Sequence, residues 1–193
     1  MNLQSSNSGS VSSNTIVDDT EPEFDDCRFK ECDWSEYYPH AVEAIPRDKP
    51  KPRGKAVICS CFVDANRAGC RLTRRLHTGV PIFVNRAPIF WYSKRQNLVK
   101  SSIFGSEFVA IRIAIEMVEG LRYILRMTGV PIEGSCNEFC NNNAVVINSK
   151  NPESTLKKKH AAINYNCTRD VNAAKTIQVA KGDTSMNLAN LLT

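Results

Sequence analysis

Residues 56–64 read AVICSCFVD, and this stretch decides the fold. Its side chains are apolar or small up to the last position, and β-branched and aromatic residues are frequent, which predicts a buried central strand. Asp64 ends the strand. Because a buried carboxylate is costly, an acid at this position is expected to lie at an exposed strand tip or to have a partner.

The segments that follow predict an antiparallel hairpin and then a helix. Residues 80–85 (VPIFVN) and 88–93 (PIFWYS) have strand composition and are joined by a tight turn around Arg86. Apolar residues then recur at spacings of three and four, the stripe of an amphipathic helix: Phe104, Phe108, Ile111, Ile115, Val118, Leu121 and Leu125. Gly129 and Pro131 are expected to end this helix.

The remaining segments alternate between the two structure types. Residues 137–140 (NEFC) and 176–180 (TIQVA) predict strands, and helices are expected at about 142–149 and about 158–174. Asp183 is expected to cap a final helix that runs through Leu192. Antiparallel strands with a tight turn therefore come first, and helical crossovers between strands come after, which indicates an α/β protein with a mixed sheet.

The chain divides into three parts by composition. Residues 1–26 form a polar, acidic segment with few large apolar side chains, and we expect this tail to be disordered. Residues 27–54 are expected to form an irregular arm and linker, which ends in the proline- and glycine-containing segment Pro50–Gly54. Residues 55–193 are expected to form the folded domain. Residues 1–50 carry a charge of about −7 and residues 51–193 about +12. A basic domain of this kind fits a polyanionic partner, but charge alone supports a solvated basic surface without a partner equally well.

Composition narrows the class of protein. The 193 residues are 42% hydrophobic and 23% charged, as in an ordinary globular domain. The sequence shows neither an apolar run long enough to span a bilayer nor a basic segment followed by an apolar core, so we expect a cytoplasmic or nuclear location, no secretion and no membrane partner. The eight cysteines lack the paired spacing of zinc ribbons and fingers, and we expect most of them to be reduced and buried.

Two carboxylates stand out as candidates for chemistry. Asp64 ends the central strand, and Glu107 lies near the start of the long helix beside its apolar stripe. An acid at a helix N-terminus has a structural explanation in the helix dipole. Together, however, the two acids suggest a divalent-metal site at one end of the sheet. Hydrolysis of a phosphodiester by two metal ions needs about four such acids, and inspection of the local sequence finds only these two.

Seven blocks of sequence occur in an order that identifies a relative. They are FVDANRAG, RLTRRLHTG, IFWYSKRQNLVKSSIFGSEFVA, LRYILRMTGVPIEG, FCNNNAVV, PESTLKKKH and NLANLLT. Over roughly residues 32–193 the chain resembles the C-terminal ribonuclease H domain of copia-type retrotransposon polyproteins. The resemblance implies an α/β, ribonuclease H-like fold: a five-stranded mixed sheet, three antiparallel strands followed by two parallel ones, with helices on both faces. It also implies hydrolysis of the RNA strand of RNA–DNA hybrids with Mg²⁺ or Mn²⁺.

The resemblance implies four catalytic positions, and two of them are altered. The family's four acids fall on Asp64, Glu107, Asn141 and Asn190, so only Asp64 and Glu107 keep a metal-binding carboxylate. Asparagine is nearly isosteric with aspartate but neutral, and it offers a metal only one oxygen. The ligand charge drops from about −4 to about −2, so metal binding should weaken strongly.

The same resemblance implies a nucleic-acid interface built from three basic clusters. Its residues are Arg67, Arg71, Arg74, Arg75, Lys94, Arg95, Lys157, Lys158, Lys159 and His160. Such side chains contact phosphates of a hybrid, or of another nucleic acid, without reading sequence. For any one cluster a solvated basic loop is the structural alternative.

Three functions remain open at this stage. The first is a ribonuclease H-like domain that has lost normal hydrolysis, a pseudoenzyme with residual affinity for nucleic acid. The second is an active ribonuclease H that uses one metal ion or substitute acids, for which Glu138 and Asp183 are nearby in sequence. The third is a decayed reading frame, or a non-catalytic interaction module that acts through its acidic N-terminal arm.

Overall fold

Five strands form one mixed sheet in the computed structural model, which describes residues 32–66, 75–97, 102–156 and 161–193. The strands are β1 (Cys59–Asn66), β2 (His77–Val84), β3 (Ala87–Arg95), β4 (Cys136–Cys140) and β5 (Ile177–Lys181). Their order in the sheet is β3-β2-β1-β4-β5. The pairs β1–β2 and β2–β3 are antiparallel, whereas β1–β4 and β4–β5 are parallel. The predicted hairpin is confirmed, with Asn85 in a left-handed conformation at its turn.

The described residues also include three α-helices and a short 3-10 helix near the C-terminus. They are α1 (Ile103–Met127), α2 (Asn143–Lys150), α3 (Ala162–Ala173) and the 3-10 helix Leu188–Leu192. Ser102 and Asn142 cap α1 and α2, because their side-chain oxygens accept backbone N–H groups of the first turn. The expected final helix through Leu192 is present as this 3-10 helix, but its expected cap at Asp183 is wrong. Asp183 instead accepts hydrogen bonds from Ser185 in a turn, and Asn187 caps the 3-10 helix.

Helices cover both faces of the sheet, as the resemblance implied. The α-helices contact one another, and α1 lies on β1 and β2 on one face. The 3-10 helix lies on the other face, over Gly79 of β2. A Cβ atom at Gly79 would lie 2.6 Å from the carbonyl oxygen of Ala189, so this close approach requires glycine.

The core lies between α1 and the sheet. Five residues of the predicted helix stripe are buried: Phe108, Ile111, Ile115, Val118 and Leu121. Four cysteines, on the neighbouring strands β1 and β4, are buried in this core: Cys59, Cys61, Cys136 and Cys140. Cys27 and Cys70 lie outside the described residues. Within the described ranges, no helix has the length and apolar character needed to cross a membrane.

The arm, described for residues 32–54, contains neither helix nor strand. The backbone N–H of Arg53 donates to the carbonyl oxygen of Gly129 at 2.8 Å, and side chains of the arm contact the domain at two further places. At the first place, Trp34 and Tyr38 lie against the guanidinium of Arg169 in α3, at 5.2 and 5.7 Å from the ring centroids. At the second, Glu43 forms ion pairs with Arg122 and Arg126 of α1. The predicted disordered tail, residues 1–26, lies outside the described residues.

Candidate active site

Asp64 lies near the carboxyl end of β1 and is only 7% exposed. Both of its carboxylate oxygens accept hydrogen bonds from neutral groups of the protein. Oδ1 accepts from Nδ2 of Asn141 at 3.1 Å, and Oδ2 accepts from Oγ1 of Thr193 at 2.8 Å. Partners of this kind are what a buried carboxylate requires, so the predicted strand-end acid is stabilised by the protein itself.

Glu107 lies in the second turn of α1 and is 3% exposed. Burial raises the pKa of its carboxyl group to about 8, and the negative charge of Asp64 adds to this shift, while a hydrogen bond with the backbone of Ala65 acts in the opposite direction. Its Oε2 atom is buried without a hydrogen-bond partner. At neutral pH the carboxyl group is therefore mostly protonated.

Asn141 directly follows β4, and the sheet explains why it meets Asp64. Strands β1 and β4 are parallel, with Val63 paired to Cys140, so their carboxyl ends meet at one edge. The amide of Asn141 points its nitrogen at the Asp64 carboxylate, because the reverse orientation would bring two acceptor oxygens together. A hydrogen-bond donor thus stands at the position to which the resemblance assigned a third acid.

Asn190 belongs to the 3-10 helix, and its exposed side chain donates to the carbonyl oxygen of Thr184 at 2.7 Å. The helix itself is held across the sheet near Asp64. Asn187 donates from Nδ2 to the carbonyl oxygen of Val63 at 3.0 Å, and Ser93 donates from Oγ to that of Leu192 at 2.6 Å. The structure therefore brings Asp64, Glu107 and Asn141 together and uses the amide of Asn190 elsewhere.

Thr193 is a residue of this site that sequence reasoning missed. It is separated from Asp64 by 129 positions, and no local pattern marks its hydroxyl as a partner of that carboxylate. The signal that could have found it is the NLANLLT block, which places it three residues after Asn190.

The residues present do not fit a two-metal site. Mg²⁺ needs several oxygen ligands with negative charge, yet the oxygens of Asp64 are occupied by donors and Glu107 is mostly neutral. Among the described residues, no group of three or more His, Cys, Asp or Glu side chains is arranged to hold a metal ion.

Neither of the two substitute acids considered from the sequence joins the site. Glu138 is completely buried on β4, paired in register with Cys61, and both of its carboxyl oxygens lack a hydrogen-bond partner. Asp183 is exposed and accepts hydrogen bonds from Ser185. Of these two acids, one belongs to the core and the other to a surface turn.

The structure describes three of the predicted basic residues. All three lie at the end of the sheet at which β1 carries Asp64. Arg95 pairs with His77, which in turn pairs with Asn66, two residues after Asp64. Lys94 is its neighbour in β3, and the exposed Arg75 shortly precedes β2. The other predicted basic residues lie outside the described ranges: Arg67, Arg71, Arg74, Lys157, Lys158, Lys159 and His160.

Curated relatives with similar sequences come from plant transposons, although no family model matches the chain. The retrovirus-related Pol polyprotein from transposon TNT 1-94 of Nicotiana tabacum is 26% identical over 151 residues, which are 73% of this chain and 11% of that protein. The corresponding polyprotein from transposon RE1 of Arabidopsis thaliana is 23% identical over 141 residues, 73% of this chain and 10% of that protein. The chain thus spans about a tenth of the length of these relatives.

Solved structures with the same fold are ribonuclease H domains. LC11-RNase H1, in complex with an RNA/DNA hybrid, has a TM-score of 0.55 and 12% identity, over 69% of this chain and 92% of that one. The N-terminal RNase H domain of rv2228c from Mycobacterium tuberculosis has a TM-score of 0.54 and 10% identity, over 72% and 91%. The chain therefore has a ribonuclease H-like fold, and its relatives are the retrotransposon polyproteins that the sequence blocks indicated.

Proposed function

We propose that this ribonuclease H-like domain binds RNA–DNA hybrids and is impaired in metal-dependent hydrolysis. The observation that carries the proposal is the hydrogen bond from Nδ2 of Asn141 to Oδ1 of Asp64. An N–H group in this position repels a cation and also occupies the oxygen that a cation would need. The neutral asparagine thus weakens the site twice, by its own lost charge and by engaging Asp64.

The electrostatics of Glu107 support the same proposal. Its carboxyl group has a pKa of about 8 because it is buried and faces Asp64, so Asp64 is the main negative charge of the trio at pH 7. A divalent cation can displace a proton from such a group, but only at the cost of ionising a buried carboxyl. The remaining position, Asn190, contributes no charge.

Binding of a hybrid has separate support. LC11-RNase H1, which shares the fold, was solved with an RNA/DNA hybrid. Arg75, Lys94 and Arg95 give this chain exposed cations at the edge that holds Asp64. Contacts from such cations to phosphates need no catalytic acid, so affinity for a hybrid can persist when hydrolysis is lost.

The test is cleavage of an end-labelled RNA–DNA hybrid under single-turnover conditions, with Mg²⁺ or Mn²⁺. We expect no metal-stimulated product from the wild-type chain. The Asn141→Asp/Asn190→Asp double variant should cleave at least about tenfold above the metal-free background, because it restores both acids. Anisotropy of the same labelled hybrid at a fixed salt concentration measures binding by both proteins.

The control variant is Asp64→Asn in both backgrounds. It should abolish any cleavage gained by the double variant. Wild-type cleavage that requires the metal ion and disappears in Asp64→Asn would overturn the proposed impairment. Wild-type protein that neither binds nor cleaves the hybrid would overturn the binding half of the proposal.

A further inference from the structure

Trp91 projects from the edge strand β3 with 70% of its surface exposed. Its neighbours Ile89 and Phe90 are also about half exposed. Large aromatic side chains stabilise a protein or a complex when they are buried. An exposed cluster of this kind therefore indicates a binding surface. This exposed cluster on β3 is separate from the candidate active site formed by Asp64, Glu107 and Asn141.

Trp91 lies on the same face of the sheet as Asp64. Asp64 pairs with Gly79, and Gly79 pairs with Ser93, so these residues form one row across three strands. Ser93 contacts the 3-10 helix on this face, and Trp91, two residues before it, points the same way. At about 3.4 Å per residue and about 4.8 Å per strand, Trp91 lies on the order of 12 Å from Asp64.

The hairpin that carries Trp91 contains basic residues and no acidic ones. No aspartate or glutamate occurs between Asp64 and Glu107 in the sequence. In residues 75–97 of this interval, the charged side chains other than histidine are all cations: Arg75, Arg86, Lys94 and Arg95. Arg95 follows Trp91 and Ser93 on the same face of β3. The surface therefore combines an open aromatic ring with nearby positive charge.

We propose that this surface, the β3 strip formed by Trp91, Ser93 and Arg95, binds an unpaired nucleic-acid strand. One base stacks on the indole ring of Trp91, and an adjacent phosphate contacts Arg95 on the same face of the strand. This proposal rests on the proposed function and deepens it. A hybrid bound across Asp64 would place its single-stranded flank on the strip.

Two physical arguments select this occupant. A base inside a duplex has both faces covered by its neighbours, so an exposed indole stacks on an unpaired base and not on a base in the interior of a duplex. A protein partner for an apolar edge would bring no compensation for the run of cations, whereas a phosphate chain neutralises them and releases counterions. The charge of about +12 on residues 51–193 acts in the same direction.

The first experiment uses Trp91 as its own reporter. The chain contains two tryptophans, and Trp34→Phe leaves Trp91 as the only one. Titration with an oligodeoxythymidine of about ten nucleotides should quench its fluorescence in a saturable manner. A fluorescence signal that stays constant while anisotropy reports binding of the same oligonucleotide would overturn the stacking contact.

The second experiment compares two hybrids that differ only in a single-stranded overhang of about six nucleotides. We expect the wild-type chain to bind the overhang hybrid about tenfold more tightly than the blunt one, which corresponds to stacking of one base. Trp91→Ala should abolish this difference and leave the affinity for the blunt hybrid unchanged, while Trp91→Phe should retain part of it. Ile163→Ala is the matched control, because Ile163 is an exposed apolar residue on α3.

The outcomes separate the two proposals. Equal binding of both hybrids by the wild-type chain overturns the strip and leaves hybrid binding intact. Trp91-dependent binding of the overhang alone supports the strip and contradicts hybrid binding. If Trp91→Ala changes only the sedimentation of the protein, from associated to monomeric, the strip is an interface between copies and the proposal is wrong.

Discussion

The two ends of helix α1 place glutamates in opposite electrostatic surroundings. At its N-terminal end, Glu107 is buried next to another acid, and its pKa rises to about 8. At its C-terminal end, Glu43 of the arm lies between Arg122 and Arg126. Burial raises the pKa of Glu43, but hydrogen bonds and charges from the two arginines outweigh this effect and lower it to about 2. The two regions are roughly 20 Å apart along the helix axis.

The contrast separates a stabilising charge cluster from a costly one. Glu43 accepts four hydrogen bonds from the two guanidinium groups, so its charge is compensated. Glu107 leaves one oxygen without a partner, and Asp64 depends on neutral donors. The charge cluster at the C-terminal end thus raises the free energy of unfolding. The acids at the N-terminal end lower it, so stability does not explain why they are there.

Removal of the Glu43 charge should have the largest effect. Glu43→Gln leaves Arg122, whose side chain is 3% exposed, as a buried charge without its carboxylate. Such losses cost about 3–5 kcal/mol, so we expect Tm to fall by about 10 °C in a thermal melt followed by circular dichroism. Glu116→Gln breaks only the exposed pair with Arg112 and should change Tm by less than about 2 °C. Equal effects of the two variants would remove the contrast between the ends.

Acid titration checks the same cluster independently. Because the pKa of Glu43 is lowered to about 2, its contribution is present above pH 4.5 and is lost as the pH falls toward 2. The wild-type chain should therefore lose more stability over this window than Glu43→Gln does. Parallel curves for the two proteins would contradict the assignment.

Asn141→Asp should have an intermediate effect that depends on the metal ion. The variant replaces a donor 3.1 Å from Asp64 with a second carboxylate. Loss of a hydrogen bond to a charged group costs about 1.5–3 kcal/mol, so Tm in EDTA should fall by about 5 °C. Addition of about 10 mM Mg²⁺, a saturating excess, should restore Tm, because the cation now has two anionic partners.

The matched control for this variant is Asn143→Asp. Asn143 is exposed at the start of α2, where a negative charge is tolerated, and it is two residues from Asn141. Its Tm should be unchanged in EDTA and insensitive to Mg²⁺. A metal response of the same size in both variants would show that the effect comes from added surface charge.

Glu138→Leu should have the smallest effect, and it should be stabilising. Glu138 is fully buried with neither oxygen hydrogen-bonded, and burial raises its pKa well above 4.5. An unpaired buried polar group costs about 1–3 kcal/mol, so we expect Tm to rise by about 3 °C at pH 7. Exposed Glu153→Gln should leave Tm unchanged.

The pH dependence gives the sign of the Glu138 effect. A carboxyl group with a raised pKa keeps its proton in the folded state, so wild-type stability should decline as the pH rises above about 4.5. Glu107 contributes in the same direction up to its pKa of about 8. Glu138→Leu should therefore show a shallower decline between pH 5 and 8, and a steeper one would contradict the assignment.

The strand and helix order could be predicted from the sequence because local patterns carry it. The apolar run that ends at Asp64 and the stripe from Phe104 to Leu125 have unambiguous periods, and the tight turn at Arg86 fixes the hairpin. The start of the final helix could not be predicted in this way. Asn187, rather than Asp183, begins it, and its position depends on Gly79 in a distant strand.

The candidate site was predictable to a lesser degree. The resemblance assigned Asp64, Glu107 and Asn141, and the parallel pairing of β1 with β4 brings Asp64 and Asn141 together. It gave no indication that Asn190 bonds to Thr184 or that Thr193 bonds to Asp64. Those contacts are set by how a short helix lies on the sheet, and no period in the sequence encodes this placement.

The contact between Trp34 and Arg169 has a consequence for the order of events during synthesis. The arm leaves the ribosome before the folded domain, yet its anchor in α3 is made about 135 residues later. At roughly 5–20 residues per second, Trp34 waits on the order of 7–27 seconds before its binding place exists. Throughout this interval the indole ring is exposed to water and to other nascent chains. The arm is thus translated before the domain and is among the last parts of the chain to reach its native contacts.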